Sequence, residues 1–320
     1  MENIKTCYGT LLGATVLDRH ANGVPSLITL DRPNLISTPY GSLMPQYCPW
    51  EDGRRFESVI SLYDNGNIKF MTMQHRTPLM TPSGAINAEG AFFYEDGTLK
   101  RVFPLYGKIS GYWSETNEYG LAEPIGVALP DGTAVVAKFL GLAFYPSGAL
   151  KSLTLWPKEK IDIETPVGAM TVRSGVSFYE NGAMRSCEPE HPVAIKTDIG
   201  SIYAYDPLPV GINGDVNSLL FAESGAVTSL ATVSHRIEVG FAWGEKRVFE
   251  PESHPSLCSD LVKELTPLRI CFNANYVMIC NREIYTFNLE NHRFRVLDMA
   301  GGPAHSDRMA WRSPMEECCS

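Results

Sequence analysis

Four stretches decide the fold: Leu62-Tyr63-Asp64-Asn65-Gly66-Asn67-Ile68-Lys69, then FYEDGTLK at residues 93–100, FYPSGALK at 144–151 and FYENGAMR at 178–185. Each reads as an apolar–aromatic pair, two turn formers, Gly, a variable residue, an apolar residue and a base. Asn-Gly and Asp-Gly supply the positive φ that two-residue hairpin turns need. The apolar alternation on either side reads as half-buried strand. Each stretch is therefore expected to be a tight hairpin. FAESGAVT from Phe221 is a weaker copy, and Ala21-Asn22-Gly23 a degenerate one.

A second motif alternates with the first. It reads Thr, often Pro, any residue, Gly: Thr6-Cys7-Tyr8-Gly9, Thr38-Pro39-Tyr40-Gly41, Thr81-Pro82-Ser83-Gly84, Thr165-Pro166-Val167-Gly168 and Thr197-Asp198-Ile199-Gly200, with Glu123-Pro124-Ile125-Gly126 as a degenerate copy. Proline fixes one turn position and glycine frees another, so this too reads as a turn. Distances from the second-motif glycine to the next first-motif glycine run 14, 25, 13, 22, 14 and 25 residues. That short–long rhythm implies three double units, at about 6–80, 81–164 and 165–240. A single step of 159 residues carries Gly9, Gly23, Gly41 and Gly66 onto Gly168, Gly182, Gly200 and Gly225. The middle unit is longer: 29 residues separate Gly97 from Gly126, against 18 from Gly23 to Gly41. The surplus, residues 107–115, reads as a loop insertion or a lengthened hairpin.

The expected fold class is all-β. It is an antiparallel hairpin-repeat meander over 1–240, curled, rolled or closed because large sheets do not stay flat. Turns of the first kind are expected along one edge and turns of the second along the other. Residues 241–300 are expected to form a small α+β cap, with 301–320 a loose tail. Leu257, Leu261, Val262 and Leu265 recur at helical spacing behind Ser256 as N-cap. Residues 269–280 and 283–296 read as strands, with turns at Asn281-Arg282 and Glu290-Asn291.

The first motif resembles the MORN repeat, especially its variant in bacterial antitoxin-like proteins, over roughly residues 6–240. The matching positions are Tyr63 and Gly66, Tyr94 and Gly97, Tyr145 and Gly148, and Tyr179 and Gly182, each followed by Lys or Arg. The chain carries Thr-Pro-x-Gly where that family carries Gly-x-Trp or Gly-x-Gly, and its unit is longer. The resemblance implies protein contacts or lipid association and little chemistry of its own.

The chain has 320 residues, 44% of them hydrophobic, and a formal net charge of −9. An acidic chain without basic clusters is a poor match for nucleic acid. No apolar run approaches the ~20 residues of a membrane helix. The N-terminus shows no basic, then apolar, leader pattern. The eight cysteines (7, 48, 187, 258, 271, 280, 318 and 319) lack C-x-x-C spacing. Reduced thiols in the cytoplasm are expected, with no metal. Dinucleotide, P-loop, zincin and serine-hydrolase motifs are missing, and no cofactor is implied.

Function is sought where copies break the pattern. His75 and His235 hold near-equivalent places in Gln74-His75-Arg76 and Ser234-His235-Arg236. They either converge as acid, base or ligand or are exposed strand residues kept by duplication. Trp50-Glu51-Asp52-Gly53-Arg54-Arg55 offers Trp50, Arg54 and Arg55 to a polar ligand, or is a charged loop. Tyr112 and Trp113 in the insertion form a lid or an aromatic contact, or a hairpin tip. Cys258 or Cys271 with His254 or His292 would be the default nucleophile–base pair; the competing reading is buried structural Cys. Strand aromatics recur at Tyr63, Phe93, Tyr94, Phe144, Tyr145, Phe178 and Tyr179; one of each adjacent pair is expected in the core and the other in an outer stripe, either for cross-strand stabilisation or for binding. Two functions follow. One is a cytoplasmic repeat module binding a partner protein or small ligand along its sheet. The other is an enzyme of lyase or isomerase type, with a pocket between the sheet and a cap carrying His254, His292 and His305.

Overall fold

A computed structural model describes residues 2–50, 60–106, 114–209, 214, 217–255 and 263–299. The chain is all-β and antiparallel. Among the described residues the one helix is the seven-residue Glu115–Leu121. None is long and apolar enough to cross a membrane. Chain contacts divide the molecule into two compact units, the first mainly residues 1–162 and the second mainly 185–210 and 216–320.

In the first unit ten strands pair in succession: Glu2–Thr6, Gly9–Arg19, Pro25–Leu30, Ile60–Leu62, Ile68–Thr81, Gly84–Phe93, Leu99–Phe103, Phe139–Phe144, Leu150–Leu155 and the end of Gly168–Phe178. One residue from each of eight strands stands in register: Ile28, Ile60, Met71, Ala91, Val102, Leu142, Leu153 and Val176. All eight are buried. This row is the spine of the core. In the second unit Cys187, Leu219, Leu230, Ile270 and Ile279 form the equivalent buried row.

Every position of the first motif has a physical use. Gly66 N–H donates to Tyr63 O (3.0 Å) and Tyr63 N–H to Asn67 O (2.8 Å). Gly66 sits at φ +85°. This is a three-residue loop ending in a left-handed glycine, not the two-residue turn expected. The extra residue shifts the register at Ser61/Leu62. The polar residue before each glycine holds the loop: Asn65, Asp96, Asp131 and Asn181 each accept from the backbone N–H two residues on. The tyrosine reaches the next repeat. Tyr63, Tyr94 and Tyr145 hydroxyls donate to Phe93, Phe144 and Phe178 carbonyls, each at 2.9 Å. In the degenerate first copy His20 Nε2 makes the same reach, 2.9 Å from Leu62 O. The basic residue returns over the ring: Lys69, Lys100 and Lys151 stand 5.3–5.8 Å from the centroids of Tyr63, Tyr94 and Tyr145. Tyr63, Tyr94 and Tyr145 therefore tie neighbouring repeats together. Each such hydrogen bond is worth roughly 0.5–1.5 kcal/mol.

In the second motif the threonine closes the loop twice. Its hydroxyl donates to the glycine carbonyl (2.6–2.9 Å) and accepts from the N–H two residues on (3.1–3.3 Å) at Thr6, Thr38, Thr81, Thr165 and Thr197. These hairpins do not lie along the opposite edge. Past the sheet the strands bulge, at Glu2/Ile4 against Leu11–Ala14 and at residues 73–76, and turn back. Asn34 fills the first bulge, its amide bonding both N–H and C=O of Leu12. The tips then reach turns of the first kind. Ile68 N–H donates to Tyr8 Oη (3.1 Å) and Leu99 N–H to Tyr40 Oη (2.8 Å). Pro82 abuts Gly148, and in the second unit Pro166 abuts Gly225. Both kinds of turn share an edge because the apolar sides of the hairpins, Ile36, Leu43, Leu79 and Ile86, gain burial only by folding back.

Three local expectations are corrected. Gly126 is not a turn; it lies within strand Ile125–Ala128, and the loop of that hairpin closes at Gly132. A further first-kind turn closes at Gly244. Of the expected insertion at 107–115, residues 107–113 are outside the described residues, and its end is neither loop nor hairpin: Ser114 caps helix Glu115–Leu121, with Asn117 completing a reciprocal capping box. Leu265, last position of the expected C-terminal helix, lies in strand Lys263–Thr266; residues 256–262 and the tail after 299 are outside the described residues. The remaining C-terminal strands are Leu268–Phe272, Tyr276–Cys280, Ile284–Asn288 and Arg293–Asp298.

Candidate functional site

Residues 73–76 span the bulge in the long hairpin of Ile68–Thr81 and Gly84–Phe93, with Arg76 at its end. Its Nε donates to Glu89 Oε1 (2.9 Å), its Nη2 to Leu121 O (2.8 Å), and its Nη1 lies 2.9 Å from Glu123 Oε1. The second Glu89 oxygen accepts from Tyr106 N–H (2.9 Å). Glu89 is buried, Arg76 is 26% exposed and Glu123 65%. One guanidinium thus ties the bend to the neighbouring strand, to the end of helix Glu115–Leu121 and to Glu123 beyond it. It also satisfies the carbonyl of Leu121 at the end of a helix whose last turn has no base of its own.

Beside Arg76 lies a recess of about 210 Å³. Asn87, Pro104, Glu123, Ile125 and Gly126 complete its wall, with Ala85 and Pro124. Its long sides are the strand edges at 85–87 and 125–126, which meet beyond it where Ala128 N–H donates to Ser83 O (3.0 Å). Among the described residues no His, Cys, Ser or Thr lines it. Among its described lining residues the more exposed of the two ionic groups is the Glu123 carboxylate. Nearby, the Tyr106 ring packs on Gly90, where an added Cβ would come within 3.1 Å. Tyr106 also joins Phe70, Phe92 and Phe103 in a ring cluster with centroids 4.3–6.0 Å apart.

The residues singled out by sequence fall elsewhere. His75 is exposed beside Arg76. His235 is in the other unit and is buried, not an exposed counterpart of His75. Trp50 donates from Nε1 to Gln74 O (3.1 Å); Arg54, Arg55, Tyr112, Trp113, Cys258 and His305 are outside the described residues. His254 is exposed, with Nδ1 3.0 Å from Pro255 O. His292 Nδ1 lies 3.0 Å from Asn288 O, its ring edge-on to Phe241 and Phe287. Cys271 Sγ is 3.4 Å from Ser229 Oγ. No hydrogen bond joins Cys271 to His254 or His292. Among the described residues no three His, Cys, Asp or Glu side chains cluster as metal ligands. Arg76, Glu89 and Glu123 were not singled out; the one sequence signal was the His75-Arg76 doublet, whose second member carries the contacts.

His235 has a structural explanation. Its ring stacks on Tyr203 (5.2 Å, 11° between planes), Nδ1 accepts from Tyr203 N–H (3.3 Å) and Nε2 faces Asp298 (3.3 Å). Burial pushes its pKa below the usual histidine value; Asp298 opposes this, but is 78% exposed and screened. A depressed folded pKa means that the unfolded chain takes the proton first. The stability this neutral ring provides is present above about pH 6.5, the unfolded value, and is lost as pH falls toward the lower folded pKa. His235→Phe is expected to flatten the fall in urea midpoint between pH 7.5 and 5.5. Parallel slopes for the two proteins would disprove the assignment.

Comparison with known proteins finds no matching family model, no matching curated protein and no matching solved structure.

Proposed function

We propose that the protein is a binding module, acting in the cytoplasm, that receives a basic side chain of a partner polypeptide at the Arg76 recess. The observation that carries this is the exposed Glu123 carboxylate beside an Arg76 already neutralised by buried Glu89. Arg76, Glu89 and Glu123 together carry one negative charge in excess, on a chain of net −9. A recess of about 210 Å³ suits one side chain and its flanking backbone. The repeat's own polar groups support this reading, because tyrosine, Asx and threonine are used to hold repeats together. The resemblance to MORN repeats, with their protein contacts, is in keeping with it. The enzyme alternative draws no comparable support, since the described residues lining the recess include no nucleophile and no histidine.

The test is selection from a random peptide library on the purified full chain, followed by binding of the selected peptides to Glu123→Arg. Peptides with a shared Lys or Arg are expected, losing at least ~10-fold in affinity on charge reversal, a change of about 1.4 kcal/mol. Equal binding to both proteins, or selection of acidic peptides, would refute the reading.

A further inference from the structure

Cys271, Met278 and Cys280 are scattered in sequence terms but adjacent in the second unit. Strands Leu268–Phe272 and Tyr276–Cys280 pair antiparallel, with Cys271 opposite Met278 and Arg269 opposite Cys280. Alternation assigns the faces. Ile270, Val277 and Ile279 are fully buried on the inner side, so the three sulfur residues share the outer side, where all three are half-buried. Directly opposed side chains in such a ladder have Cβ atoms about 4.5–5.5 Å apart. Cys280 lies on the diagonal from Cys271, two residues along the same face from Met278. The Cys271 thiol donates to the Ser229 hydroxyl, at 3.4 Å, across the next ladder.

We propose that Cys271, Met278 and Cys280 form a binding site for a soft monovalent metal ion, of which copper(I) is the biological example. Two thiols and a thioether on adjacent strands match the ligand preference of that ion and are poor partners for magnesium or calcium. Binding forms two copper–thiolate bonds and one thioether contact, and releases the two thiol protons to solvent with no change of oxidation state. The resulting centre carries one negative charge, which the Arg269 guanidinium opposite Cys280 balances. Arg269 is held in place by the Asn217 carbonyl, 3.4–3.5 Å from its terminal nitrogens. The site is in a different unit from the Arg76 recess and stands or falls independently of it.

The test titrates the reduced full chain, without oxygen, with copper(I) held by bicinchoninate. Because Cys318 and Cys319 also offer thiols, the comparison is made in the Cys318→Ser/Cys319→Ser background. That protein is expected to withdraw one equivalent, and to lose it when Cys271→Ser and Cys280→Ser are added. X-ray absorption should show only sulfur neighbours, one fewer in Met278→Leu. Should the double serine variant fail to fold, the wild-type chain decides. Copper(I) is expected to slow alkylation of Cys271 and Cys280 by iodoacetamide at least 10-fold, read by peptide mass spectrometry. Unchanged copper uptake without the two cysteines, unprotected thiols, or a Cys271–Cys280 disulfide formed with no copper uptake would overturn the proposal.

Discussion

Leu142→Ala is expected to cost about 2–5 kcal/mol of stability, toward the upper end of that range. Leu142 is fully buried inside the eight-residue row, with Val102 on one side and Leu153 on the other, both held in register by their ladders. Neighbours fixed in this way cannot slide in to fill the space, so the cavity term persists beside the lost burial. Val136→Ala is the control. That residue is 69% exposed and should change stability by no more than about 0.5 kcal/mol. Urea unfolding of the two variants measures the contrast. A loss under about 1 kcal/mol at Leu142 would show that this row is not the core of the unit.

The second large effect is expected at Glu89. Glu89→Met leaves the Arg76 guanidinium without its buried partner and Tyr106 N–H without the carboxylate that accepts from it. Removing one member of a buried ion pair costs about 3–5 kcal/mol. The low end applies, because Arg76 keeps contact with water and with Glu123. Replacing both, as Arg76→Met/Glu89→Met, should recover part of the loss, since no unpaired charge then remains. The double-mutant cycle read by urea unfolding makes the distinction. A double variant as unstable as the sum of the singles would mean that the two side chains act separately. The Glu89 variant should also lose the selected peptides, because the recess is positioned through Arg76.

The turns were legible because each rests on local chemistry. Asn65 and Gly66, or Thr81 and Gly84, make their bonds within four residues, so composition alone reveals them. The errors are local too. Pro124-Ile125-Gly126 copies the spelling of the second motif, but Glu123 stands where the hydroxyl belongs, and nothing closes the loop on the glycine carbonyl. Leu129-Pro130-Asp131-Gly132 has the Asp and Gly of the first motif but no tyrosine, so an aromatic template passes over it. The fold-back of the hairpins depends on bulges, which leave no signature in spacing. The recess was hidden for a different reason: Arg76 meets Glu89 13 residues on and the Leu121 carbonyl 45 residues on. Likewise Cys271 and Cys280 fit no metal spacing rule, and only the ladder register puts them side by side.

The reach of the folded-back hairpins has a consequence for how the chain is made. Tyr8 waits for the amide of Ile68, 60 residues later, and Tyr40 for that of Leu99, 59 residues later. A ribosome adding ~5–20 residues per second takes roughly 3–12 s to supply each missing partner. During that interval every newly emerged loop has a vacant seat ahead of it and a strand edge open to other chains. Assembly during synthesis is therefore a zipper that always lags the exit tunnel by one long stitch, and slow translation lengthens the exposed stretch without removing it.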